Sequence, residues 1–591
     1  MKWLGTIALI LGAVVLMVYA IVASWKANHA PGIGTGQKPA KEVLSGWIEN
    51  AYIESCSEKS ISVRYNGQQY ILQGTLATEY VGVADLKIED GQVLSVNAKP
   101  ETIEGTLDSY TESTVQISGY EILNYSGELP VYVVPVSEEK MVEGTESAVS
   151  VFSESNDNQG GLGADDLKGE TEVSQKKLTD LVVGTSQVQL VVAEGKACAV
   201  IQYHQDVYES IRVLIRNGAK LYYNNIYITS DSKYRVGDSS RKKNEVVSAG
   251  KLLKNCEAGE EIRFSSGDGL LYLCDKKGNY SEEGYEGDFI VRKTTEGYVL
   301  VNEVPIETYL RYVLPSEMPT YFSYEALKAQ AVCARTFAYK QMQSDTYAAY
   351  GANLDDSTAF QVYHASGTYE ITDRAVEDTR GLVLTYEGEL IDCYYYSTST
   401  GYSENLEVWD ADSPNYLVAE NHTQEKTVNL SRKKNFHKFI ESTPVCYDSD
   451  SPYFRWRAKL SAKLGMDEKY GRLKKLTVNE RSDSGYVLSL TITFEDGERT
   501  YDKENDIRYA LGKYLSSVTL ADGTVRTDLG TVPSACFEVT SQKDGTIILA
   551  GGGFGHGIGM SQYGADGMGQ EGCSWQEILA FYYKGAEVVA E

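Results

Sequence analysis

Val304-Pro305-Ile306-Glu307-Thr308-Tyr309-Leu310-Arg311-Tyr312-Val313-Leu314-Pro315-Ser316-Glu317-Met318-Pro319 is the stretch on which the reading of the fold turns. Pro305 suits a first helical turn, because its fixed φ is already helical and its missing N–H would have had no partner there. Ile306, Tyr309, Leu310, Val313 and Leu314 then follow the i, i+3, i+4, i+7, i+8 spacing of one buried helical face. The pattern predicts a helix that stops at Pro315, since proline breaks the backbone ladder. Glu317 is then confined between two prolines on a short loop, a carboxylate held with little backbone freedom. After Ser323, a cap candidate, Tyr324-Glu-Ala-Leu-Lys-Ala-Gln-Ala-Val-Cys-Ala-Arg-Thr-Phe-Ala-Tyr-Lys340 is a strong helix former whose alanines permit close packing. A carboxylate between two packed helices is a candidate for a raised pKa and general acid work; a solvated helix-end carboxylate is the competing reading.

Strands are expected on both sides of this helical segment. Ile211-Arg-Val-Leu-Ile opens the first group, and a closing helix near residue 575 ends the second. That closing helix carries a capping box, Ser574-Trp-Gln-Glu577, and stops at Gly585. Before it lies Gly553-Phe554-Gly555-His556-Gly557-Ile558-Gly559-Met560-Ser561-Gln562-Tyr563-Gly564-Ala565, whose glycines let backbone approach a ligand while presenting His556 and Gln562. Tight strand turns are the plainer alternative. No Lys-Ser/Thr closes this loop, so it is not a phosphate cradle. Tyr394-Tyr-Tyr-Ser397-Thr-Ser-Thr-Gly-Tyr-Ser-Glu404-Asn405 either lines a sugar groove or forms a strand and turn.

Further toward the N-terminus, residues 46–136 contain short strands separated by turns such as Asn66-Gly67 and Asp90-Gly91, and two stretches echo each other. A small β-barrel-like module is expected, repeated once more, with 178–203 as a candidate further copy. Residues 137–177, rich in Glu, Ser, Asp and Gly, read as a disordered acidic linker. Residues 27–45 read as a juxtamembrane tether. Trp3 to Trp25 contains no charged residue and is long enough to cross a bilayer, with Trp at each interface. An uncleaved anchor is favoured over a signal peptide, whose apolar region is usually about 7 to 15 residues. The expected class is therefore α+β: a transmembrane helix at 1–26, the linker 27–45, small β-rich modules at 46–136, the linker 137–177, a β segment at 178–208, and a mixed α+β catalytic domain at 209–591 with a central helical segment.

Composition narrows the functions. The 591 residues carry a formal net charge of -28 and no basic stripe, which argues against nucleic-acid binding through phosphates. Forty-four tyrosines lean toward β structure and glycan-binding surfaces. Nine cysteines without a CxxC pair support neither a zinc ribbon nor a redox motif.

Together, Val-Pro-Ile-Glu-Thr-Tyr-Leu with Pro-Ser-Glu-Met-Pro, the alanine-rich helix, and the glycine-rich segment resemble the stage II sporulation protein D family, which also includes amidase-enhancer proteins. The resemblance spans residues 209–587. It implies a lytic transglycosylase that cuts peptidoglycan glycan strands between N-acetylmuramic acid and N-acetylglucosamine, preferring strands stripped of stem peptides by a partner amidase. Glu317 matches the family's essential glutamate. Gln330, Arg335, Ser397, His556 and Gln562 match other motif positions, with the implied role of binding or orienting the sugar and the glutamate. The single well-marked carboxylate suits transglycosylation, in which the sugar's own C6 hydroxyl is the nucleophile, better than hydrolysis by a carboxylate pair. Some members carry zinc ligands just before a Gln-Val-Tyr. Here the stretch Leu354-Asp355-Asp356-Ser357-Thr358-Ala359-Phe360-Gln361-Val362-Tyr363 has no cysteine, and neither metal nor cofactor is expected. The expected setting is the cell membrane, with the catalytic domain extracytoplasmic. Two rivals remain open: a non-catalytic glycan-binding protein that stimulates a cell-wall amidase, and a tethered adhesin built on the β modules.

Overall fold

The computed structural model describes residues 44–590 except 77–79, 136–171, 204–205, 281–283, 364–366 and 544. The expected membrane span, the tether up to residue 43 and most of the acidic linker lie outside the described residues. Among the described residues no helix is long and apolar enough to cross a membrane. The chain divides into two compact units, one of residues 44–395 with 565–591 and one of residues 396–564. The expected single domain at 209–591 is thus split, and its first part shares a unit with the β modules.

In the larger unit, strands Gly46–Cys56, Ser60–Tyr65, Gln68–Gln73, Gln92–Ala98 and Gly82–Glu89 close a barrel in that order. Two of its hairpins turn at Asn66-Gly67 and Asp90-Gly91, where all four residues have positive φ, as tight hairpin turns require. Ile48, Ile53, Ile61, Val63, Leu86 and Ile88 fill its centre. A seven-stranded sheet follows, ordered Ser174–Lys176, Val131–Val133, Lys196–Gln202, Gln187–Ala193, Thr102–Tyr110, Thr114–Ile117 and Leu123–Asn124. The 178–208 segment is therefore not a separate lead-in or a further copy. Its strands complete the sheet begun at Thr102, because neither half has enough strands to bury its own apolar face.

A second seven-stranded sheet runs Ser239–Arg241, Tyr234–Val236, Glu261–Ser265, Asp288–Lys293, Tyr298–Pro305, Ser210–Ile215 and Leu354–Asp355. Buried charge ties it to the first. Asp108, 1% exposed, accepts from Arg212 Nη1 at 2.7 Å and pairs with Arg292. Arg292 also binds Glu261 at 2.7 Å, and Arg212 binds Glu303 at 2.5 Å. Burial alone would raise the Asp108 carboxyl, but Arg292 and Arg212 outweigh it and hold the group below the usual carboxylate range.

From Pro305 the chain enters the helix Ile306–Glu317. The loop expected for Glu317 is instead the last helical residue, with Pro315 inside the helix. Proline costs the helix only its own N–H there. Ser316 Oγ donates to the Tyr312 carbonyl at 2.7 Å and the Met318 N–H to Leu314 O at 2.9 Å, so the final turn stays closed. Ser323 caps the helix Tyr324–Met342 by accepting from Ala326 N at 3.4 Å. The capping box at Ser574 opens the helix Trp575–Tyr582, and the last strand, Glu587–Ala590, pairs antiparallel with Leu382–Tyr386.

The smaller unit holds a five-stranded sheet, Val525–Arg526, Leu515–Leu520, Trp456–Ser461, Thr546–Gly551 and Phe537–Lys543, and a three-stranded one, Leu473–Arg481, Val487–Phe494 and Glu498–Tyr501. Trp456, Leu490, Ile492, Phe494, Phe537 and Leu549 form its core.

The Asp108 clamp has a defined pH signature. A depressed carboxyl stabilises the fold above its unfolded pKa of about 3.9, and that contribution is lost as pH falls through the folded value. Asp108→Asn is expected to lower urea stability at neutral pH by about 3–5 kcal/mol, by leaving two buried guanidiniums underpaired. The gap should shrink below about pH 4, where wild type loses the same contribution. Urea titrations of both proteins across this range check it.

Candidate active site

Glu317 is partly exposed at the end of its helix, and protein crowds its carboxyl. Val362 N–H donates to Oε1 at 2.6 Å. Burial pushes the carboxyl up to about 7, with the Val362 hydrogen bond working in the opposite direction by favouring the charged form. The Tyr309 and Tyr395 hydroxyls are raised first by burial and then by the nearby Glu317 charge.

The extended segment carrying Val362 is itself fixed at its side chains. Gln361 is fully buried; its Oε1 accepts from Tyr309 OH at 3.1 Å, and its Nε2 donates to Ala334 O and to Tyr395 OH, both at 3.2 Å. Tyr363 OH donates to Asn302 Oδ1 at 2.8 Å. Side chains on either side of Val362 thus hold its N–H on the glutamate. Reading the sequence missed this shell, treating Gln361-Val362-Tyr363 only as the flank of missing zinc ligands.

The other expected residues separate into two groups. Gln330 and Arg335 lie with Glu317 in the larger unit, both fully buried in the helix Tyr324–Met342. Arg335 forks onto Glu307, Nε to Oε1 at 2.8 Å and Nη2 to Oε2 at 2.7 Å, and donates to Leu382 O at 3.1 Å. Of the two roles expected for Arg335, binding or orienting, this geometry offers the second: its donors tie the two helices and the Leu382 strand together, and its side chain is fully buried.

Ser397, His556 and Gln562 lie in the smaller unit. The His556 ring sits 5.1 Å from Trp409 and 5.5 Å from Tyr396, and Nδ1 accepts from Ile558 N at 3.1 Å. The neutral ring therefore carries its proton on Nε2. Glycine is required beside it: a Cβ at Gly557 would meet Tyr486 Oη at 2.3 Å, and one at Gly555 would meet Tyr396 Cβ at 2.7 Å. The Ser397 carbonyl accepts from Tyr563 N at 3.0 Å, and Gln562 is buried. Glu404, for which the sequence suggested no role, donates its N–H to Gly557 O at 2.7 Å. Its carboxyl, 1% exposed and bonded to Ser482 Oγ, is pushed up to about 7 by burial.

The stretch 354–363 gathers no ligand cluster. Asp355 is engaged by Arg216 at 3.2 Å and Tyr347 at 2.8 Å, Asp356 accepts from Arg216 N at 3.2 Å, and His364 lies outside the described residues. No group of three potential metal ligands occurs among the described residues.

A partly exposed glutamate at a helix end, its carboxyl raised to about 7 and met by the Val362 N–H, has the protonation behaviour that a general acid/base needs. Residues 294–386 match the family described as Stage II sporulation protein, and residues 403–559 match a domain of unknown function, DUF8618. The chain is 32% identical to Stage II sporulation protein D of Bacillus subtilis over 49% of its own length and 75% of that protein's. It is 33% identical to the Amidase enhancer of the same organism over 48% of its own length and 40% of that protein's. Stage II sporulation protein D of Bacillus amyloliquefaciens is 32% identical, with 75% of its length covered. The chain belongs to the stage II sporulation protein D family. Less than half of the amidase enhancer's length is matched.

A raised acid favours its neutral form in the fold, so stability attributable to Glu317 declines as pH rises from about 4.3 toward 7. Glu317→Gln removes that dependence. The variant should gain thermal stability over wild type at pH 8 relative to pH 5, and carbon-13 NMR of labelled glutamates should lose one resonance titrating near 7.

Proposed function

We propose that this protein is a peptidoglycan lytic transglycosylase, acting in sporulation or in related wall remodelling, with Glu317 as its acid/base. The observation that carries the reading is the Glu317 carboxyl, pushed up to about 7 yet still partly exposed at a helix end. At neutral pH such a group is present in both protonation states, as a residue that must first give and then take a proton requires. Protonated Glu317 donates to the oxygen leaving C1 of N-acetylmuramic acid as the glycosidic bond breaks. The resulting carboxylate removes the C6 hydroxyl proton as that oxygen bonds to C1, which closes a 1,6-anhydro ring and restores the acid. No water is consumed. Val362 N–H steadies the carboxylate between the two steps, and Tyr309 and Tyr395 hold Gln361 beside it. The span Trp3 to Trp25 would anchor the enzyme in the cell membrane with this unit on the wall side.

A second reading has its own support, since one relative is named Amidase enhancer. In it the protein binds glycan and stimulates a wall amidase without cleaving strands.

Mass spectrometry of peptide-stripped glycan strands separates the two. Wild type should yield 1,6-anhydromuramic ends, and Glu317→Gln should lower their rate by about 10²–10⁴-fold. No cleavage by wild type, with amidase stimulation intact in the variant, would select the enhancer. Because the leaving oxygen needs a protonated acid, kcat/KM should fall as pH rises through about 7, the value at which Glu317 ionises.

A further inference from the structure

Between the five-stranded barrel and the sheet that follows it, both within the larger unit, lies a groove of about 690 Å³. That volume falls in the about 300–1,000 Å³ range of small-ligand sites. Tyr52, Val83, Val191 and Ile201 line it, and beneath them they form one apolar cluster with Tyr132, the Tyr52 and Tyr132 rings being 5.2 Å apart. Tyr132 OH donates to the Asn50 carbonyl of the barrel at 2.7 Å, which holds the two modules in register across the groove.

The charges on the walls are already matched. Glu54 is paired with Arg64 at 2.8 Å, Lys99 with Asp85 at 2.7 Å, and the exposed Glu172 lies 3.8 Å from Arg64. A phosphate or other polyanion would find no uncommitted cation here, on a chain whose net charge is -28. What the walls offer is neutral. The carboxamides of Gln69 and Gln189 and the hydroxyl of Tyr203 lie beside the Tyr203 ring, 38% exposed, and Val81, 55% exposed; Gln69 Nε2 donates to Glu54 and Gln189 Nε2 to Glu104, each at 2.6 Å, so the carboxamides are held in place and a ligand hydroxyl would share these hydrogen bonds. Tyr203 OH donates to Gln189 Oε1 at 3.4 Å, so ring and carboxamide share one wall.

The exposed Tyr203 ring, edged by neutral donors and acceptors, matches a sugar ring, which has C–H faces and a hydroxyl rim, better than it matches an ion. We infer that this groove is a carbohydrate-binding site for a neutral oligosaccharide segment, separate from the Glu317 pocket. The inference does not depend on whether Glu317 cleaves glycan. Two sources of such a chain share this chemistry, N-acetylated aminosugar polymers and plain glucans.

The test uses the full chain carrying Glu317→Gln, so that no strand is consumed, and isothermal titration with the tetramer of N-acetylglucosamine and with the tetramer of glucose. At least one should bind, and Tyr203→Ala and Gln189→Ala should each weaken it by about tenfold, the typical cost of truncating a tyrosine anchor, without altering thermal unfolding. The sugar preferred identifies the source. A lysine-containing stem peptide serves as the contrasting probe. The inference is overturned if neither sugar binds, if both variants bind as the parent does, or if only the peptide's binding responds to Tyr203→Ala. Should one variant unfold, the other decides.

Discussion

The Arg335 guanidinium has no water around it, and its charge must be met inside the protein. Glu307 meets it through two parallel hydrogen bonds of 2.8 and 2.7 Å, and the Leu382 carbonyl takes another donor. A buried pair of this kind tolerates little displacement, because any opening leaves a charge in a medium that cannot solvate it. The helix Ile306–Glu317 is therefore fixed against the helix Tyr324–Met342 and against the strand Leu382–Tyr386, whose other neighbour is the last strand of the chain. Where Glu317 sits follows from that constraint.

Its chemistry follows from a second layer. A helix-end glutamate would normally face water and ionise near 4.3. Here Gln361 and Tyr363 hold their segment through Tyr309, Tyr395 and Asn302, so that the Val362 N–H reaches the carboxyl. Desolvation and the Val362 hydrogen bond oppose each other, and desolvation prevails. The fold bears an internal acid at a cost in stability, the usual condition of a proton-transfer site.

The β modules are joined to this frame by charge as well as by apolar packing. Asp108 lies in the first sheet and both of its arginines in the second, so the modules form one unit with the helical segment. The groove between barrel and sheet exists because Tyr52 and Tyr132 pack the two together at its floor while the walls above stay apart.

Features governed by neighbours in sequence were legible without the structure. The apolar face from Ile306 to Leu314, the Ser323 cap, the capping box at Ser574 and the turns at Asn66-Gly67 and Asp90-Gly91 depend on groups a few residues apart. Glu317 stood out through local crowding by prolines, although Pro315 proved to lie inside the helix because Ser316 and Met318 keep the last turn closed. What escaped depends on distant partners. Residues 174–202 complete a sheet begun at Thr102, Arg335 forks onto Glu307, and Val362 reaches Glu317 from 45 positions away. The division at residues 396 and 565 was equally hidden. The amino-acid sequence by itself determined the three helices beginning near Ile306, Tyr324 and Trp575, the turns and the carboxylate. Tertiary structure alone decided which groups lose their water, and a pKa or a buried ion pair is set by that loss and by the partners that replace it.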